Sequence, residues 1–128
     1  MAKLPEEAKK IISRVLPAFI ATASKKGKPN VSPKGSFRVL DDEHVVFAEM
    51  ASPRTIANLR ENPQVSAMVF DPATWGGCRI WGKAEIIDSG PLFDSFKAEF
   101  ARLKMDVHSI VRIAVEKVEI MPPLKKAG

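Results

Sequence analysis

Four consecutive residues, Ser52-Pro53-Arg54-Thr55, open a short helical segment with the charge that such segments usually avoid. Ser52 suits the N-cap and Pro53 the first helical position. A helix N-terminus carries partial positive charge, so Asp or Glu normally fills its first turn. Here the first turn holds Arg54 and Thr55, and the segment's one acid, Glu61, lies at the far end. That placement is unfavourable unless an outside anion sits there. Free backbone N–H groups, a hydroxyl and a guanidinium together have the chemistry of a phosphate site.

A second group lies upstream, at Ser32-Pro33-Lys34-Gly35-Ser36. Pro33 and Gly35 interrupt a segment that otherwise reads as a strand, which leaves backbone donors and acceptors free where a glycine permits close approach. A flat heterocycle with several hydrogen-bonding edges suits such a strand. The bland alternative is a β-bulge with an exposed lysine. Other chemistry is poorly represented. Gly77-Cys78-Arg79-Ile80-Trp81-Gly82-Lys83 has the spacing of a P-loop, but Ala84 follows where a hydroxyl must hold magnesium, and the run is rich in strand formers. There is no G-x-S-x-G elbow, and His44 and His108 have no fixed carboxylate spacing. His108, a lone histidine near a helix end, reads as a surface residue.

The elements that must position these groups follow from periodicity. Leu4, Ala8, Ile11, Ile12 and Val15 recur at helical spacing and predict an amphipathic first helix within residues 1–16. Strands are expected over Ala18–Ala23, from Asn30, over Gln64–Asp71, Cys78–Ile87 and Ile110–Ile120, with Phe37–Leu40 and Val45–Ala48 as a hairpin. The short helix runs from Ser52 to about Glu61, and Asn62-Pro63 stops it because the residue before proline avoids the α region. Phe93, Phe96, Phe100 and Leu103 predict a third helix to about Lys104. Residues 122–128 read as a loose basic tail. Short strands joined mostly by tight turns argue for an α+β fold built on an antiparallel barrel.

Composition bounds the rest. The 128 residues suit one domain, 1–128, with a core of its own. One cysteine excludes an internal disulfide, and two histidines beside it exclude a closed Cys/His zinc site. The first residues contain no apolar signal-peptide core and no run is long enough to span a membrane, so the expected location is the cytoplasm. The formal net charge of +5 favours anionic partners.

Taken together, Ser32–Ser36, the hairpin, Arg54-Thr55, Asn58-Leu59, Asn62-Pro63-Gln64-Val65 and Trp81-Gly82-Lys83-Ala84-Glu85 resemble the pyridoxamine 5′-phosphate oxidase-related family over roughly Ala18–Asp88. The resemblance implies a six-stranded split β-barrel with a few peripheral helices, forming a homodimer with FMN at the interface. It assigns Arg54 and Thr55 to the phosphate and Ala48 and Glu49 to the ribityl chain and ring. It assigns Ser32, Pro33, Lys34, Gly35 and Ser36 to the ring's polar edge, with Lys34 as a charge near the pyrimidine side or the phosphate. It places Gly77 and Cys78 near the cofactor at the start of the long strand, and no residue is assigned a catalytic role. Trp75, in a Gly-bounded loop, is a candidate to cover the open face or simply to pack.

The departures are Pro33-Lys34-Gly35, where the true oxidase has basic and apolar residues, Thr55, where it has a second basic residue, and a shorter C-terminal segment. Pyridoxamine oxidation is therefore not expected. The expected function is a small FMN-binding oxidoreductase or electron carrier, flavin reductase-like if it is an enzyme, served by a small-molecule or protein electron donor. Some relatives use a deazaflavin or heme, and some have no cofactor. The alternatives are a cofactor-free dimeric barrel and a basic barrel that binds single-stranded nucleic acid by stacking bases on Phe37-Arg38 and Arg79-Ile80-Trp81.

Overall fold

Three residues, Gly35–Phe37, join the two strands that form opposite edges of the sheet, and this short connection dictates the shape of the molecule. The computed structural model describes residues 2–125; residues 126–128 of the expected basic tail lie outside them. In chain order the elements are α1 (Glu6–Arg14), β1 (Ala18–Ala23), β2 (Pro29–Lys34), β3 (Arg38–Asp41) and β4 (His44–Glu49). They continue with α2 (Pro53–Glu61), β5 (Gln64–Asp71), β6 (Gly76–Ile87), α3 (Pro91–Ala101) and β7 (Ser109–Met121). The strands form one antiparallel sheet in the order β2-β1-β5-β6-β7-β4-β3.

A flat seven-stranded sheet would hold its edges roughly 29 Å apart at about 4.8 Å per strand. The four residue steps from Lys34 to Arg38 reach roughly 14 Å at most. The sheet must therefore roll until β2 lies beside the β3–β4 edge. It does not close by a ladder: β2 pairs with β1 and β3 with β4. The result is a split barrel. The count is seven strands rather than six because the chain crosses the split at Gly35–Phe37, so residues on either side of it pair with different neighbours.

Ser36 spans the gap. Its Oγ accepts the Ala48 N–H at 2.9 Å and donates to the Ala48 carbonyl at 3.3 Å, supplying from a side chain what a strand would supply from its backbone. Pro33 does not end β2, contrary to the sequence reading. An edge strand has one row of backbone groups outside the ladder, and proline's missing N–H is tolerated there.

The barrel interior is filled by Ile20, Val45, Phe47, Val69, Ile80 and Val111, each at most 1 % exposed. Ala8, Ile11 and Ile12 of α1 join the same cluster. Phe96 and Phe100 of α3 pack with Val46, Ala48 and Ile110 on the other face of β4 and β7. β4 is thus covered on both sides, which is why its sequence is a continuous apolar run rather than an alternation. Midway along β6 a bulge falls at Trp81/Gly82. A Cβ on Gly82 would lie 2.2 Å from the Ala114 carbonyl oxygen, so this crossing of β6 and β7 needs a glycine. The third helix stops at Ala101, short of Lys104, because Lys104 turns to φ 60° and the Met105 N–H folds back onto the Phe100 carbonyl.

Ser36→Ala strips the Ala48 N–H of its partner in a buried setting. It is expected to lower stability by about 1–3 kcal/mol, read as a shift in the urea midpoint at unchanged slope.

Candidate functional site

β2, the edge strand, and α2, joined to β4 by the three residues Met50–Ser52, face each other across a groove. The groove consists of three adjoining cavities. The first, about 420 Å³, lies between Lys28, Asn30, Arg54 and Asn58. The middle one, about 400 Å³, shares Asn30 and Arg54 with it and adds Val31, Ser32 and Ser52. The third, about 350 Å³, shares Ser32 and Ser52 and is completed by Lys34, Ser36, Met50 and Met105; the burial of Lys34, Ser36 and Ala48 in its wall makes it the deep end.

The deep end is built on charge. The Lys34 side chain is 8 % exposed and that of Glu49 5 %, and Lys34 Nζ lies 3.5 Å from Glu49 Oε2. Every other ion pair among the described residues has at least one partner more than 40 % exposed, and these exposed pairs contribute little. Ser52 joins Lys34 to Glu49. Its N–H donates to Glu49 Oε1 at 2.5 Å, its hydroxyl donates to Glu49 Oε2, and the same hydroxyl oxygen accepts from Lys34 Nζ. The ammonium also lies 5.4 Å from the centre of the Phe47 ring. A buried ion pair offsets its desolvation only when its remaining lone pairs and protons find partners, and Ser52 provides them.

This use of Ser52 changes the start of α2. The hydroxyl expected to cap the helix is turned away to Glu49, and the helix has no side-chain cap. No acid occupies its first turn, whereas α1 has Glu6 and Glu7 there and α3 has Asp94. Arg54 is exposed, lines two of the three cavities and has no ion pair or hydrogen bond to another described residue. Thr55 is wholly buried, with its Oγ1 2.9 Å from Ser32 Oγ, which ties the first turn of α2 to β2. One turn further on, Asn58 Nδ2 donates to Thr22 Oγ1 at 3.0 Å and fixes the same face to β1.

The structure brings together most of the residues singled out in the sequence. Ser32, Pro33, Lys34, Gly35, Ser36, Ala48 and Arg54 line the groove. Glu49 and Thr55 stand behind it and hold Lys34 and Ser32. Gly77 and Cys78 lie elsewhere in this chain. Gly77 has φ 154°, and a Cβ there would lie 1.9 Å from the Val69 carbonyl oxygen, so its backbone packs against β5; it lines a small cavity beside α1 instead. Cys78 is fully buried, and burial pushes its thiol up to about 11. Trp75 packs edge-on against Phe70, with ring centres 5.5 Å apart, and lines none of the groove's three cavities.

The sequence reading missed the linking role of Ser52 and the lining residues Asn30, Met50 and Met105. A cap signal drew attention to Ser52, but nothing local in the sequence reveals a partner on β4. Phe37, one of the stacking candidates for nucleic acid, is 2 % exposed and belongs to the core. Lys117 covers Trp81, 4.9 Å from its ring centre. Among the described residues no three His, Cys, Asp or Glu side chains cluster to hold a metal ion, and no helix is long and apolar enough to cross a membrane.

Lys34→Met leaves the Glu49 carboxylate buried without its countercharge. A loss of about 3–5 kcal/mol in unfolding free energy is expected from denaturant titration at pH 7.

Residues 4–122 match the family described as pyridoxamine 5′-phosphate oxidase. An uncharacterized protein of Methanocaldococcus jannaschii is 41% identical over 68 residues, which are 52% of this chain; the match spans only 45% of that protein. Among solved structures, HupZ of Group A Streptococcus is 30% identical, with 98% of this chain and 99% of that one covered and a TM-score of 0.84. An FMN-binding protein from Syntrophomonas wolfei has the same fold at 17% identity, with 94% and 87% covered and a TM-score of 0.82. The fold also occurs in an F420 reductase at 21% identity and a TM-score of 0.70. HutZ, the heme storage protein from Vibrio cholerae, has it at 20% and 0.72. With the match running nearly end to end and the split barrel in place, the chain belongs to the pyridoxamine 5′-phosphate oxidase family.

Proposed function

We propose that the groove binds FMN and that the protein is a small flavin-dependent oxidoreductase or electron carrier. The observation that carries this reading is Arg54, a guanidinium with no protein partner among the described residues. It sits at an uncapped helix N-terminus and opens on the same groove as a buried, hydrogen-bonding wall. Such a groove suits a ligand with a phosphate at one end and an uncharged polar ring at the other. Arg54 and the first-turn N–H groups of α2 would hold the phosphate. Lys34, Ser52 and the free edge of β2 would face the ring. Bound flavin supplies hydride and electron transfer; the chain supplies orientation, exclusion of water and electrostatics. None of the groove residues need act as an acid or base.

A homodimer with the cofactor between two copies belongs to the same proposal. It is supported by exposed apolar side chains beside the groove on the outer face of β1 and β2, with Val31 63 % and Phe19 39 % exposed. Heme is the second reading, favoured by the two thioethers, Met50 and Met105, that line the deep cavity and are of a type that ligates heme iron.

Arg54→Ala is expected to weaken FMN binding by about 1.5–3 kcal/mol, roughly tenfold to more than a hundredfold in dissociation constant. Affinity for riboflavin, which has no phosphate, should stay the same. Flavin fluorescence titration measures both. Equal loss for the two flavins, or none for either, removes the phosphate from Arg54.

A further inference from the structure

We propose that Glu49 is a positioning residue that makes the deep end of the groove electrically neutral. It holds Lys34 as one half of an ion pair and so keeps a net positive charge away from the ring bound there. This inference rests on the flavin reading above and adds to it a residue that sets the electronic character of the site.

The geometry assigns different tasks to the two members of the pair. Lys34 and Ser52 line the deepest cavity, and Glu49 does not. Both carboxylate oxygens of Glu49 are already engaged, Oε1 by the Ser52 N–H and Oε2 by the Ser52 hydroxyl and the Lys34 ammonium. Glu49 is therefore held as an acceptor facing the protein. The ammonium has three N–H donors, of which Ser52 and Glu49 take two. Lys34 thus retains a donor for the cavity while its charge is matched from behind. Both side chains are more than nine-tenths buried, so solvent screens the pair little.

The net positive charge of the groove is accordingly concentrated at the other end, at Arg54 and Lys28. A lone cation beside a flavin favours the reduced ring, which gains negative charge, and raises the potential. A matched pair presents a dipole in place of that unit charge. Glu49 thereby keeps the potential below the value that an unpaired Lys34 would impose.

The test is a redox titration of FMN bound to the wild type, to Glu49→Gln and to the double variant Lys34→Met/Glu49→Gln. Glutamine can still accept from the Ser52 N–H, and the double variant leaves neither charge buried alone. Glu49→Gln should shift the potential upward, with the reduced-to-oxidised ratio at a fixed applied potential rising about tenfold, about 30 mV for a two-electron couple. The double variant should return to within a few-fold of the wild type. An unchanged or lower potential in Glu49→Gln, or a double variant displaced as far as the single one, overturns the proposal.

Acylation of the apo-protein with acetic anhydride at fixed pH, read by mass spectrometry, tests the pairing without flavin. Removing the carboxylate should raise labelling of Lys34 severalfold relative to exposed Lys26; no rise overturns the pairing. Failure of the wild type to retain FMN overturns the flavin reading and the effect on potential together. The labelling result then stands separately and distinguishes that failure from failure of the pair.

Discussion

The short span between Lys34 and Arg38 is the constraint on which the structure depends. Because it joins the two edges of the sheet, the sheet rolls, and because β2 and β3 keep different partners, the barrel stays split. The same crossing brings Ser36 onto the backbone of β4 and Lys34 onto Glu49, 15 residues further along the chain. The groove is the outer mouth of that split. A ladder across it would have used the backbone edge of β2, and a longer loop would not have fixed the register of Lys34 against β4. The device that shapes the fold therefore also assembles the site.

Within the groove, burial decides what each charge can do. Arg54 is exposed, free of protein partners among the described residues and backed by the N-terminus of α2, so it can meet an anion at little desolvation cost. Lys34 is buried and matched, and its role is local and geometric. The two meet through Ser52, whose hydroxyl is engaged with Glu49 and Lys34 and so does not cap α2. The ordering of the Lys34 end and the openness of the Arg54 end thus have a single cause. Support behind the groove is rigid: β4 is packed on both faces, and Thr55 and Asn58 pin α2 to β2 and β1.

Much of this was legible in the sequence because it depends on local rules. Helical spacing placed α1 and α3, Asn62-Pro63 ended α2, and Pro33 with Gly35 marked the place where the sheet opens. The missing acid after Ser52 pointed to an anion. What could not be read depends on contacts between distant residues. Pro33 reads as a break because its tolerance comes from β2 lying at an edge, which only the strand order reveals. Phe37 reads as available for stacking, and burial in the rolled sheet removes it. No local pattern links Lys34 to Glu49, or turns Ser52 from cap to link, because the roll of the sheet creates both contacts. Gly77 reads equally as a residue beside a cofactor and as one forced to be glycine by β5; within this chain the second reason is sufficient.

The most direct test of the account is a visible absorption spectrum of the purified protein, taken after incubation with FMN and removal of free flavin by gel filtration. The account predicts flavin bands that travel with the protein at about one flavin per chain. A protein that elutes colourless, or that acquires the intense near-ultraviolet band of heme and no flavin, contradicts it.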